Sequence, residues 1–414
     1  MSLLFWVKPN FVIHNLTAYC PLPSAFRLLE NMAFEITFTA LGVLLILLVV
    51  YDVYATILDA RARAGPISET LNRVVWSLAR RIAFRLPRPR RHRFLNALGP
   101  LLLPALIAIY IGSLVSGFAL IYFPRMPAHF NVAPEAVSPV WIESLYFSGT
   151  TLTTVGYGDI APRTTAMRFV ALTQAAAGFG LISLAVTYLI TVYSALERKR
   201  SVALSFYHQA EEGADAAGFI AHHFIAGRFY ELDGALRTAA RDLQQLLESH
   251  VEHPIIHYFH PIEVYKSLPR VLFLTLEITT VIKSCLDPDE YPETYNHPEV
   301  RTLDASARHV LNQLVASLDM RRRLARRIET RFEESRRWEK RYRQTLYKLK
   351  GAGIKTRKDA RAGWDEYRAK REEWETSLHR FATYLGYDWD EVTGDRGLEY
   401  AADEAMEEPE GSVE

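Results

Sequence analysis

The chain runs to 414 residues, of which 49% are hydrophobic and 23% charged, and its 48 Lys and Arg against 47 Asp and Glu leave a net charge of +1. That balance offers no basic footprint for a nucleic acid, so no such partner is expected. With only Cys20 and Cys285 there is no disulfide framework, and the mean hydropathy of −0.02 averages two unlike halves, one lipid-like and one charged.

Residues 1–31 lack the charged leader and small-residue cleavage site of a secretory signal. Met32 stands directly before the first apolar span, which leaves two accounts of this stretch: a misplaced start, or a short external segment. The first span, Ile36 to Leu58, contains Asp52 between Tyr51 and Tyr54. A carboxylate in lipid is costly, so Asp52 is expected to reach headgroup level or to pair with an arginine of the next helix, with a coupling role in gating as the sharper alternative. Ten arginines from Arg61 to Arg93 then crowd the link to the second span, which makes that link cytoplasmic and puts the N-terminus outside. Cys20 and Cys285 fall on opposite faces of the membrane in this topology and cannot pair within one chain. Within the link, Ser68 to Leu86 carries Leu71, Val74, Val75, Leu78, Ile82 and Leu86 on one helical stripe, with Arg73, Arg80, Arg81 and Arg85 elsewhere. Such a helix lies flat at the inner leaflet, and its arginines suit anionic lipid headgroups along 68–93. Pro87 and Pro89 are expected to end it.

From Ala97 to Phe123, and again from Phe169 to Leu196, no charged side chain occurs, and each run exceeds the roughly 20 residues that cross a bilayer core. Between them, Pro124, Pro127, Pro134 and Pro139 mark an extracellular loop. Trp141 to Thr153 is short enough to enter the membrane and stop halfway, its C-terminal dipole favouring a cation. The string Thr154-Val155-Gly156-Tyr157-Gly158-Asp159 follows. In extended form around a fourfold axis, the carbonyls of Thr154, Val155, Gly156 and Tyr157 replace the hydration shell of a potassium ion, and the Thr154 hydroxyl closes the inner end. Gly156 and Gly158 permit backbone angles that aim successive carbonyls one way. Tyr157 points away and wedges against the surrounding helices, and Asp159 draws ions to the outer mouth. In the last span, Gly178 and Gly180 lie at mid-membrane, and Phe179, Ile182, Val186, Ile190 and Ser194 share a face. Bending near Gly178 would close an apolar ring of Ile182, Val186 and Ile190; close helix packing at Gly178 is the other account.

The six-residue string, together with Tyr146-Phe147-Ser148-Gly149-Thr150-Thr151-Leu152-Thr153 ahead of it, resembles the selectivity filter of tetrameric potassium channels. The resemblance covers about Ala97 to Leu196 and implies a pore domain with one extra N-terminal span, assembled as a homotetramer. The chain departs from better-known relatives at Thr150, Tyr146 and Phe147, which bears on filter inactivation rather than on ion choice.

Beyond Glu197 the chain reads as helical, charged and cytoplasmic. Ala216 to Val251 keeps a helical period, and Ile262 to Cys285 is apolar but carries Lys266, Arg270, Glu277 and Lys283, which argues for a buried helix rather than a span. Arg301 to Leu318 follows a proline break. A charged helix over Leu318 to Lys350, with Leu324 and Ile328 on its apolar side, is expected to turn at Gly351 and Gly353 into a seam of Trp364, Tyr367, Arg371, Trp374, Leu378, Phe381 and Leu385, packed within or between subunits. His250, His253, His257 and His260 crowd one stretch, a metal or proton sensor by residue type, but Pro254 and Pro261 interrupt any helix that would align them, and ordinary packing and capping is the favoured account. No span carries arginines at every third position, no nucleotide fingerprint follows the last span, and no catalytic constellation occurs, so no enzyme and no cofactor beyond filter potassium is expected.

The expectation is an all-α membrane protein: three transmembrane helices with a re-entrant pore helix and selectivity filter, plus a C-terminal all-α cytoplasmic domain. Its parts are an extracellular segment (1–33), the first transmembrane helix (34–60), a basic amphipathic linker (61–96), the pore domain (97–196), the helical domain (197–398) and an acidic disordered tail (399–414). The function expected is potassium conduction across a bacterial inner membrane. The competing readings are a non-conducting receptor that keeps the filter as a plug, and a poorly selective cation pore.

Overall fold

In a computed structural model, residues 24–59, 65–132, 139–210, 215–318 and 331–394 are described. The expected segment up to residue 23 with Cys20, Arg61, Arg63, Pro134, Leu324, Ile328 and the acidic tail from 399 lie outside them. Helix α1 (Ser24–Val53) passes into one π turn at Tyr54–Leu58. Helix α2 (Pro66–Ala83) opens on proline, whose missing N–H falls where no intrahelical bond is due. Helix α3 (Arg88–Tyr122) starts at the proline pair rather than at Ala97, because Pro89 sits in its first turn where a ring is tolerated. Pro100 and Pro104 are carried inside it.

A short helix α4 (Met126–His129) leads into strand β1 (Phe130–Val132), and helix α5 (Val140–Leu152) follows. Strand β2 (Ile160–Pro162) pairs antiparallel with β1, Asn131 opposite Ala161. Helix α6 (Thr165–Gln209) has 45 residues, about 68 Å at 1.5 Å per residue, more than twice a hydrocarbon core. The expected end at Leu196 is overrun because Glu197, Arg198, Lys199 and Arg200 all favour helix. Among the described residues, three helices, Glu30–Leu58, Arg88–Arg125 and Thr165–Gln209, are long and apolar enough to cross a membrane.

The rest is helical: α7 (Ala216–His222), α8 (Leu232–Glu252), α9 (Leu268–Cys285), α10 (Pro292–Asn296), α11 (Pro298–Ser317), α12 (Arg331–Gly351), α13 (Ala360–Tyr384) and α14 (Trp389–Thr393). The run expected as one helix over 216–251 is broken by a hairpin, β3 (Phe224–Ile225) against β4 (Arg228–Phe229). Its turn residues Ala226 and Gly227 have φ of 52° and 86°, the left-handed pair that a two-residue hairpin requires.

The chain divides into two compact units, 1–46 with 114–176 and 47–113 with 177–414. In the first, Gly42 and Gly117 lie against each other so closely that a Cβ on Gly42 would fall 2.4 Å from the Gly117 carbonyl oxygen. The second is organised around α9, buried along its whole length and packed by α7, α11, α13 and α14. Its charges are answered inside the core: Arg270 donates to the Val392 carbonyl at 2.8 Å, and Glu277 accepts from the Tyr367 hydroxyl at 2.5 Å and pairs with Arg371 at 3.2 Å. The seam of α13 packs within the chain, since Tyr367, Arg371, Trp374, Leu378 and Phe381 are all buried there. Each such apolar side chain contributes roughly 1.5–3 kcal/mol.

Candidate functional site

Helix α5 ends at Thr153, and the chain does not leave it freely. The Thr150 carbonyl accepts from both Val155 N (2.9 Å) and Gly156 N (3.2 Å), while the Thr151 carbonyl accepts from Thr154 N at 3.1 Å. Thr154, Gly156 and Gly158 have φ of 59°, 55° and 86°, whereas Val155 and Tyr157 do not enter the left-handed region. Alternating the hand of the backbone turns every second peptide plane over, so that successive carbonyls face the same side. For Thr154, which has a Cβ, that conformation costs roughly 1–2 kcal/mol. No atom lies within 4 Å of where a Cβ on Gly156 or Gly158 would stand, so what these positions require of glycine is conformational. All residues from Thr153 to Asp159 are exposed in the single chain, Tyr157 by 72%. The Tyr157 ring stacks parallel on Tyr146 of α5, centroids 6.4 Å apart, and the Tyr146 hydroxyl bonds Asp159.

Behind the string stands a network the sequence reading missed. Gln174 of α6 is fully buried; its amide nitrogen donates to the Ser148 carbonyl (2.9 Å) and hydroxyl (2.7 Å), and its oxygen accepts from the Tyr122 hydroxyl at 2.8 Å. Ser148 Oγ in turn donates to the Val115 carbonyl at 2.7 Å. Residues of α3, α5 and α6 are thereby tied together by satisfied polar groups, which in an apolar surround fix geometry strongly. The rings of Tyr122, Phe130 and Phe147 close the same region edge to face, 5.0 to 5.5 Å apart. The available signal was Gln174 itself, the single amide between Phe169 and Leu196.

Along α6 the helix runs unbroken through Gly178 and Gly180. Phe179, Ile182, Val186, Ile190 and Ser194 are all exposed, and Leu181, Ala185, Tyr188 and Val192 on the other face are buried. The face read from spacing is therefore exposed along its length in the single chain.

Among the described residues, the partners of Asp52 are backbone amides and a tyrosine rather than an arginine. Asp52 is buried, and its carboxylate accepts from the Ile67 amide (2.6 Å), the Ser68 amide (3.2 Å) and the Tyr110 hydroxyl (2.6 Å). An anion at the first turn of α2 offsets the helix dipole and its unpaired N–H groups. Gly65 is required there, since a Cβ would lie 2.3 Å from Asp52 Oδ1. Helix α2 buries Asn72, Trp76, Ala79 and Ala83, with Trp76 Nε1 donating to the Tyr384 carbonyl at 3.1 Å. Val74, Leu78 and Ile82 are left exposed beside Arg73, Arg81 and Arg85.

The histidine-rich stretch does not converge on a metal: among the described residues, no group of three or more His, Cys, Asp or Glu is placed to hold one. Burial, aided by the nearby Lys199 charge, pushes His257 down to about 3, and His250 also lies well below the ordinary imidazole value.

Residues 109–195, which hold the α5 string and its supporting network, match the family described as Ion channel. The chain is 31% identical over 258 residues to the uncharacterized membrane protein YdjJ of Bacillus subtilis (strain 168), covering 62% of this chain and 72% of that one. It is 33% identical over 114 residues to the human potassium voltage-gated channel subfamily A member 7, covering 27% of this chain and 21% of that protein. No solved structure matches it significantly. Residues 109–195 thus form an ion-channel domain, and the chain belongs, with the Bacillus protein, to one family of membrane proteins.

Proposed function

We propose that the protein conducts potassium selectively through a pore built from four copies of this chain. The observation that carries the reading is the alternately handed backbone at Thr154, Gly156 and Gly158, which aims the carbonyls of Thr154, Val155, Gly156 and Tyr157 to one side. One such string offers a dehydrated ion only part of a coordination shell, and four around an axis complete it. Four copies would also cover Val155 and the shared face of α6, both exposed in one subunit. Gly158 and Asp159 support the string and its mouth. The name of the human relative, a potassium channel, agrees with the ion chosen. Gating then falls to α6, bending near Gly178 and Gly180 so that Ile182, Val186 and Ile190 close an apolar constriction, with the helical domain as modulator. The uncovered stripe of α2, flanked by arginines, suits anionic lipid at the inner leaflet, with the N-terminus outside and the C-terminus in the cytoplasm of a bacterium.

Reconstituted liposomes test this. Potassium-selective flux, with reversal potentials that reject sodium and with flux lost in Gly156→Ala, is the expected outcome; Ala resists the φ of 55° at that position. Tight vesicles around a folded tetramer would favour a non-conducting receptor instead, and equal sodium and potassium permeability a general cation pore.

A further inference from the structure

His92, His260 and Glu391 come from three distant parts of the chain and meet in its interior. His92 lies in the first turns of α3, His260 follows the 3-10 turn Pro254–Tyr258, and Glu391 belongs to α14. They are 0%, 3% and 5% exposed. His260 Nδ1 lies 3.0 Å from the Leu385 carbonyl oxygen, His260 Nε2 lies 2.7 Å from His92 Nδ1, and His92 Nε2 lies 3.1 Å from Glu391 Oε1. The His92 and His260 rings lie near parallel, 17° apart with centroids at 5.0 Å, and Tyr387 stacks on His260 at 4.3 Å.

One end of this chain of contacts fixes the direction of every bond in it. A backbone carbonyl only accepts, so His260 Nδ1 must carry the hydrogen and donate to Leu385. A neutral His260 then has a bare Nε2, which can only accept, so His92 Nδ1 must donate to it. If His92 were neutral as well, its Nε2 would present a lone pair to Glu391. Should Glu391 be ionised, two acceptors would then face each other at 3.1 Å with no water between them. The arrangement closes only when one extra proton sits between His92 and Glu391, as imidazolium with carboxylate or as imidazole with carboxylic acid. We propose that His92, His260 and Glu391 form a one-proton clasp that docks the α14 segment onto the foot of α3, engaged while that proton is bound and released as cytoplasmic pH rises.

The surroundings agree with a single proton. Burial pushes His260 well below its ordinary value, helped by His92, Lys199 and Arg91, so a second proton does not enter there. Burial works against ionisation of Glu391, yet its bond to His92 and the His92 charge hold it below the usual carboxylate value. The other charged groups facing the cluster are already matched on α3 and the α14 segment. Arg88 pairs with Asp388 (2.7 Å) and Asp390 (3.1 Å), and Arg91 with Asp388 (2.6 Å), leaving Arg91 3.8 Å from Glu391. From α6, Lys199 Nζ donates to the Phe259 carbonyl at 3.3 Å, and Glu263 pairs with Lys266 at 2.8 Å.

This clasp goes beyond the channel reading and does not depend on conduction, so its test reads docking directly. Hydrogen exchange of residues 385–393 is measured on the full-length protein in lipid nanodiscs, expressed as protection relative to an unstructured peptide. In the native protein, protection is expected to fall at least about tenfold between about pH 6 and pH 9. Glu391→Gln is the discriminating variant. Its amide donates to a neutral His92 while its oxygen still accepts from Asp388 N, the partner of Glu391 Oε2 at 3.0 Å. The bond chain then closes without an extra proton, and protection stays high and flat across the range. His92→Phe is expected to give low protection at every pH. Flat protection in the native protein, or a Glu391→Gln profile that falls as the native one does, overturns the clasp, whatever the vesicles report about potassium.

Discussion

Gln174 and Thr154 divide what a reader of the sequence can and cannot find. The chemistry of Thr154 to Asp159 is local, because backbone carbonyls need only their own φ angles and the two glycines written beside them, so the string is visible in six letters. Gln174 acts through Ser148 and Tyr122, far from it along the chain, and nothing in the apolar span says that its amide faces inward. Gln174→Leu should leave the Tyr122 hydroxyl and the Ser148 groups without this partner, at about 1–3 kcal/mol for a buried polar group left unpaired. A thermal denaturation series in lipid reads that loss; a stability equal to the native protein would remove the network from the account of what holds α5. Potassium selectivity in the same variant, read from reversal potentials, is expected to weaken as the support behind α5 loosens.

Helices tell a similar story one level up. The charges within 262–285 correctly marked a helix that is buried rather than spanning, since a bilayer would not repay Arg270 and Glu277, whereas a folded core with Arg371, Tyr367 and the Val392 carbonyl does. The break at Phe224–Phe229 stayed hidden because its turn rests on left-handed angles at Ala226 as well as Gly227, and alanine carries no such signal. Asp52 was legible as costly but not as a cap, because the amides it serves lie 15 and 16 residues further along the chain, in another helix. Asp52→Ala should therefore destabilise the start of α2 by about 1–2 kcal/mol, seen as faster amide exchange at Ile67 and Ser68 with α8 unchanged. At α14 the carboxylates set an acid limit. Burial opposes ionisation of Asp388, but its bond to Arg91 and the charges of Arg91 and Arg88 bring it below its ordinary value, as with Glu391. A folded value below the unfolded one means stabilisation that is complete above the ordinary carboxylate range, about 4, and lost as pH falls through the lower folded values. On the acid side, limited proteolysis by an acid-active protease should accordingly begin to cut near Tyr387 as pH falls below about 4.

At the scale of the molecule, the boundary drawn from charge at residue 197 does not coincide with a boundary in the core. Trp76 of α2, Leu95 and Leu102 of α3, and Tyr188 and Val192 of α6 belong to one buried cluster with α8, α9 and α13. Hydropathy marks where lipid-like sequence stops, but it carries no information about which apolar side chains near that edge are covered by protein. Deleting 201–414 should uncover this cluster, and the truncated chain is expected to aggregate or lose α2 protection in exchange experiments. A truncated protein that keeps native protection over 66–83 would contradict that coupling. Studies of the helical domain are better served by point changes such as Glu391→Gln than by its removal.

One oxygen in α5 bears on how conduction could be interrupted. Because the Thr150 carbonyl holds two consecutive amides at once, in the proposed pore the carbonyls nearest it would swivel about that anchor but would not slide lengthwise without unwinding the helix behind them. Any shut conformation of the upper string should therefore originate at Tyr157 and Gly158, beyond the anchor. The rungs nearest Thr150 would stay in register throughout, ready to be refilled from the inner side.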